Sequence, residues 1–336
     1  MRRNNQLLMS MLLVKPVTLS LSLFLLALFH LGSAVANSEK AIQWVQKMSM
    51  AMNELSYKGR FVYQQNNQLE SMSIIHVKDQ QGTRERLISL NGEAREILRD
   101  NNNLTCVWPS SRQVVVDQSN QKSSSPIWAP DDVERLAKFY EFSISGKDRV
   151  ADHSTIIISI KPKDNFRYGM KVWLDENTGL LLQSVLFDEL GRTKEQIMFT
   201  ELTLMHYDDQ NSFSVIPEID SGYALIRSHS GRETISLQAD AKWKLESLPG
   251  GFWVETSFRK KMPESNDYTQ QMIITDGMAS VSVFIEKTSG QSLSGESSMG
   301  AVNAFGTRIN DFTVTAIGEV PAITVKKLAE STVYQN

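Results

Sequence analysis

Ser257-Phe258-Arg259-Lys260 fits the spacing S-x-x-K, and Lys287-Thr288-Ser289 approaches K-T-G. These are two signatures of serine acyl-enzymes of the cell wall, in which Ser and Lys share one helical turn so that the amine takes the hydroxyl proton. The surrounding run WVETSFRK alternates as a strand does, which sends residues 257 and 260 to opposite faces, and S-D-N is absent. The match carries no catalytic site. Of five histidines, His30, His76, His153, His206 and His229, none has a carboxylate or second His at the H-E-x-x-H spacing. Each reads as a surface or hydrogen-bonded residue in place of a metal ligand. Gly290 and Gly295 have the outer spacing of a phosphate-binding loop, but Glu296 stands where Lys is required. The one cysteine, Cys106, lies in the apolar run LTCVW and reads as a small buried hydrophobe. No catalytic residue, metal or cofactor is expected, and the chain reads as a non-enzyme. What remains is binding: Trp108, Tyr168, Trp173 and Phe187, with Phe166, could line a concave apolar face that holds an acyl chain. That they are simply the core of a sheet stays open.

The elements that would position these residues follow from periodicity. Ala41, Ile42, Val45, Met48, Met52 and Leu55 form one stripe of a helix over Ser38–Leu55, with Ser38 as N-cap. Eleven strands then follow: 59–65, 71–78, 84–89, 94–99, 104–108, 112–117, 142–150, 155–161, 167–175, 180–188 and 193–207. Asn91-Gly92 is the strongest hairpin signal among their turns. A short helix interrupts them after Pro130, where Asp131 and Asp132 suit the positive end of its dipole. The result is a large, curved antiparallel sheet covered on one face by one or two helices. Residues 208–222 read as a linker. The remainder, 223–336, reads as a smaller α+β unit with strands at 253–260, 270–275, 278–287 and 307–317. Thr288–Gly300 is a Ser/Gly-rich loop. The closing helix starts at Pro321, with Ile323, Val325 and Leu328 as its apolar positions.

Charge and composition narrow the partners. The 336 residues carry 35 basic and 38 acidic side chains, a formal charge of -3, which argues against a nucleic-acid partner. Residues 1–36 hold Arg2, Arg3 and Lys15 and no acid, then the apolar run 17–31, then Ala34-Val35-Ala36. Those are the parts of a secretory signal peptide cleaved after Ala36. Loss of the three basic residues with the leader takes the charge from -3 to -6. Export implies a periplasmic protein. The divisions are therefore 1–36 (leader), 37–207, 208–222 and 223–336.

A resemblance extends this reading. Glu85-Arg86-Leu87, Leu90-Asn91-Gly92, Arg95-Glu96-Ile97, Arg149-Val150-Ala151-Asp152, Arg167-Tyr168, Val172-Trp173-Leu174-Asp175 and Leu190–Gln196 occur in this order. Trp243, Leu248-Pro249-Gly250-Gly251-Phe252 and Gly318-Glu319-Val320-Pro321 continue the series. The ordered set, spanning the whole mature chain, resembles the periplasmic sigma-E factor regulatory proteins of the RseB/MucB family. The resemblance implies a half-open antiparallel β-barrel closed by helices, similar to lipoprotein carriers, plus a smaller α+β C-terminal domain. It also implies a negative regulator of the envelope-stress response. Such a protein binds the periplasmic region of a membrane-spanning anti-sigma factor, shields it from regulated proteolysis, and takes up lipid or lipopolysaccharide as the signal. On that footing Trp253, Phe258, Arg259 and Lys260 are the candidate partner anchors. Self-association stays open. The competing function is a periplasmic lipid or lipoprotein carrier, which would not need the second domain.

Overall fold

A computed structural model describes residues 36–65, 68–80, 82–101, 103–117, 130–205, 222–227, 232–234, 242–261, 268–288 and 292–335. The expected leader therefore lies outside the described residues except for Ala36, and the expected linker except for Gly222. Helix α1 covers residues 36–54. It already includes Ala36 and Asn37, so Ser38 is not its cap; the Asn37 side chain instead accepts from the Ile144 amide at 3.2 Å.

Two sheets follow. The first takes β1 (Tyr57–Gln65), β2 (Gln68–Asp79), β3 (Gly82–Ser89), β4 (Glu96–Asp100), β5 (Asn103–Trp108) and β6 (Gln113–Asp117). After helix α2 (Val133–Leu136) it adds β7 (Tyr140–Val150), β8 (His153–Pro162), β9 (Gly169–Asp175), β10 (Leu181–Phe187) and β11 (Thr193–Leu204). β1 pairs with β11, which joins the two meanders into one sheet. A twelfth strand, β12 (Ala224–Arg227), returns after the expected linker and pairs parallel to β6. The order is β12-β6-β5-β4-β3-β2-β1-β11-β10-β9-β8-β7, with β12 and β7 at the ends among the described strands. Arg167 falls before β9, in the bend at 163–167, and not in the strand expected from residue 167.

α1 closes one face. Ala41, Val45 and Met48 are fully buried against a core that includes Phe61, Ile74, Phe142, Ile158, Val172, Leu182 and Phe199. The stripe read from the sequence is the stripe that is covered.

The second sheet has order β13-β15-β16-β17-β20-β19-β18: Arg232–Thr234, Trp253–Lys261, Tyr268–Thr275, Ser280–Lys287, Phe312–Gly318, Val302–Ile309 and Gly295–Met299. The single strand expected over 307–317 is in fact two, β19 and β20. Asn310, at φ 53°, reverses the chain between them. The Ser/Gly-rich stretch likewise contains β18, paired to β19. Helix α3 (Ala322–Glu330) packs this sheet with Thr324, Val325, Leu328 and Ala329. Ile323, expected on that stripe, is 45% exposed instead. β14 (Trp243–Leu245) and β21 (Thr332–Tyr334) form a two-stranded ribbon. Each large sheet has its own apolar core. Among the described residues no helix is long and apolar enough to cross a membrane.

Candidate functional site

On the helix-covered face of the first sheet, one cross-strand row is apolar throughout. Ile74 pairs with Leu87, Leu87 with Ile97, Ile97 with Cys106, Cys106 with Val115, and Val115 with Ile226. Ile74 and Leu87 are 1% and 2% exposed, Ile97, Cys106 and Val115 are half-buried, and Ile226 is 49% exposed. The cover thus fades outward along a continuous apolar floor. Strand alternation puts half-buried Leu104 and Trp108 on the same face as Cys106.

A polar row runs beside it, two residues along each strand. The Tyr57 ring stacks on His76 at 4.9 Å, His76 Nδ1 meets Glu85 at 3.0 Å, and Arg99 Nε reaches Glu85 at 3.3 Å. His76 Nε2 is buried without a hydrogen-bond partner. Burial pushes the Glu85 carboxyl up, but the hydrogen bond and charge of His76, with Arg99, outweigh it and hold the group below its ordinary value. Elsewhere a cavity of about 360 Å³ opens where β11 runs past its pairing with β10. The His153–Asp175 pair, at 2.9 Å, lines it together with Leu180, Leu202 and Leu204. Among the described residues no group of His, Cys, Asp and Glu is placed to hold a metal ion.

The two sheets meet at a polar seam. Arg167, in the bend before β9, donates from Nε to Asp276 Oδ2 at 2.6 Å, and both side chains are fully buried. The Tyr140 hydroxyl donates to the same oxygen at 2.8 Å. Asn303 donates to the Tyr168 hydroxyl at 2.8 Å, and the Thr324 hydroxyl to the Phe166 carbonyl at 2.8 Å.

Two family models match this chain: the MucB/RseB N-terminal domain over residues 40–218 and the MucB/RseB C-terminal domain over residues 237–333. The chain belongs to the MucB/RseB family. It is 29% identical to the sigma factor AlgU regulatory protein MucB of Pseudomonas aeruginosa, over 90% of this chain and 95% of that one. It is 27% identical to the sigma-E factor regulatory protein RseB of Haemophilus influenzae, over 96% and 98%. The crystal structure of MucB in complex with MucA(peri) superposes with a TM-score of 0.68 at 26% identity, covering 88% of this chain and 99% of that one. The crystal structure of MucB gives 0.63 at the same identity, covering 89% and 99%.

Within this MucB/RseB fold the acyl-chain candidates do not share one place. Trp108 stands on the outer apolar floor. Phe187 lies over Gly169, where a Cβ would come within 2.2 Å of its ring. β5 and β10 are six positions apart in the sheet order. Tyr168 is in the seam, 5% exposed. Trp173 is half-buried at the margin of the first core, its indole donating to Asp148 at 3.2 Å. The partner candidates also divide along β15. Trp253 faces the first domain, its ring 3.6 Å from the Arg135 guanidinium carbon. Phe258, Arg259 and Lys260 lie toward the other end of the strand, with Arg259 exposed over the Tyr268 ring at 4.8 Å. Ser257 is 1% exposed and accepts from Gln270 at 3.3 Å. In sequence Arg167 belongs to an expected strand and to the family pattern, neither of which marks it as a seam residue. A lone Arg between Phe166 and Tyr168, three residues after Asp164, is the signal that marks it.

Proposed function

We propose that this chain is a periplasmic negative regulator of a sigma-E-type envelope-stress response. It binds the periplasmic region of a membrane-spanning anti-sigma factor and shields that region from the protease that starts its degradation. The observation that carries the reading is the match, through both domains, to MucB solved in complex with MucA(peri). The β15 residues Trp253, Phe258, Arg259 and Lys260 are the anchors assigned to the partner, since aromatic and basic groups dominate interface energetics. Removal of the leader after Ala36 delivers the protein to the periplasm.

The lipid signal enters at the first domain. The apolar row that emerges from under α1 toward Ile226, with Trp108 beside it, is the floor on which an acyl chain lies. Of the aromatic candidates, Trp108 is the one that stands beside this row. A ligand shifts the bound state only if it binds the free and partner-bound forms differently. Acyl chains must therefore weaken partner binding, and partner binding must weaken acyl binding by the same factor. The same floor also favours a second reading, a carrier of lipid or lipoprotein, for which the second domain would be dispensable.

Pull-down with the periplasmic segment of the source cell's anti-sigma factor separates them. Retention of that segment supports regulation. Clean failure by folded protein that still takes up a fluorescent fatty acid favours the carrier.

A further inference from the structure

The seam between the two domains is organised by one loop. Residues 163–168, between β8 and β9, direct Phe166, Arg167 and Tyr168 into the second domain, where Phe166 packs on its core. Arg167 spends its donors across the boundary: Nε on Asp276, Nη2 on the Gly250 carbonyl, and Nη1 on Asp164 of its own loop. Phe139 and Tyr140 from one domain and Phe252 from the other surround the guanidinium, at 5.1, 5.6 and 4.6 Å.

Asp276 divides its work between its two oxygens. Oδ1 accepts from the amides of Met278 and Ala279, at 2.9 and 2.8 Å, and so shapes the turn between β16 and β17. Oδ2 faces the other domain and holds Arg167 and Tyr140. Folding the turn and docking the domains are thus separable functions of one carboxylate.

We propose that this loop is a latch, closed by Arg167 on Asp276, that sets whether the two domains are docked, and that its release uncovers Trp253. A buried ion pair in which each guanidinium nitrogen has a partner holds one geometry, whereas losing a single partner strands a charge away from water. Docking therefore fails steeply and not by degrees, as a two-state element requires. In the docked state Trp253 is capped by Arg135 of the first domain, while its neighbour Phe252 belongs to the second domain's own core. Opening the latch turns the Trp253 ring into an accessible face of the second domain. This goes beyond the partner reading above and stands without it, because it concerns how the chain holds itself.

The test uses the full mature chain carrying Cys106→Ser, with nitroxide labels on cysteines introduced at the exposed positions Glu93 and Arg308, one in each domain. The parent should give one narrow interdomain distance by electron–electron resonance. Asp276→Asn keeps the turn-forming oxygen but removes the charge, and should raise the undocked fraction by about 100-fold. The distance distribution then broadens to longer values, and hydroxyl-radical labelling of Trp253 rises several-fold. If Asp276→Asn loses its cooperative melting, Arg167→Met leaves the turn untouched and decides the question by the same two readouts. A folded variant of either kind that keeps the parent's narrow distance and Trp253 labelling overturns the proposal.

Discussion

Glu85 shows how one side chain makes a stability contribution that depends on pH. It is 7% exposed and bonded to both His76 and Arg99, which together overcome the cost of burying its charge. Because its carboxyl is held low in the folded state, its contribution is present above the ordinary carboxylate range and lost as pH falls through the folded value. Glu85→Gln should cost about 2 kcal/mol in urea unfolding at pH 7. That difference from the parent should shrink as pH falls below the ordinary carboxylate range and through the lowered folded value, where the parent's carboxyl is protonated too. An equal cost at neutral pH and in acid would contradict this account of the row. The pairing was hidden in the sequence. His76 and Glu85 are nine residues apart, a spacing that means nothing on a helix, and only the hairpin register of β2 and β3 sets them opposite each other. Tyr168 was hidden for a related reason: an aromatic at a strand end reads alike whether it faces a cavity or another domain.

The elements were far more legible. All eleven antiparallel strands of the first sheet were visible, because Val, Ile and Thr alternate between turn residues over most of its length. Asn91-Gly92 marked its turn, although the loop is wider than two residues and runs from Leu90 to Arg95. Asn91 itself ties the loop to β2 by accepting from the Ser71 amide at 2.6 Å. Two of the failures have different physical causes, a reversal made without Gly or Pro and a pairing that is not local. Asn310 turns the chain between β19 and β20, and β12 joins by a long-range parallel pairing that no local signal announces. In α3 the apolar pattern did not separate Ile323 from Leu328. Leu328 is fully buried and Ile323 is 45% exposed, so Leu328→Ala should cost about 2–5 kcal/mol and Ile323→Ala less than about 0.5 kcal/mol. Thermal melting of the two variants checks the orientation, and comparable losses would contradict it. Met48, fully buried on α1, makes the matching prediction for the first domain. Met48→Ala should cost about 2–5 kcal/mol in chemical unfolding, because the helix is the lid of the core.

At the scale of the molecule, the domains face each other with charge that is not fully matched. Burial raises the Glu195 carboxyl, the nearby charge of Glu319 from the second domain adds to the rise, and hydrogen bonds from Tyr63 and Gln65 only partly offset it, leaving it at about 7. A raised acid favours its neutral form in the folded state. Its contribution is therefore full below the ordinary value of 4.5 and is lost as pH rises through about 7. Glu195→Gln should gain on the parent in thermal stability between pH 5 and pH 8, and a difference constant across that window would count against the account. The proposed function rests on the two-domain arrangement as a whole, and calorimetric titration of the full mature chain with the anti-sigma periplasmic segment tests it most directly. Saturable binding, weakened when Trp253 or Phe258 is replaced by Ala in a folded chain, is the predicted result. A cooperatively folded chain that releases no heat and retains no segment at any concentration would contradict it.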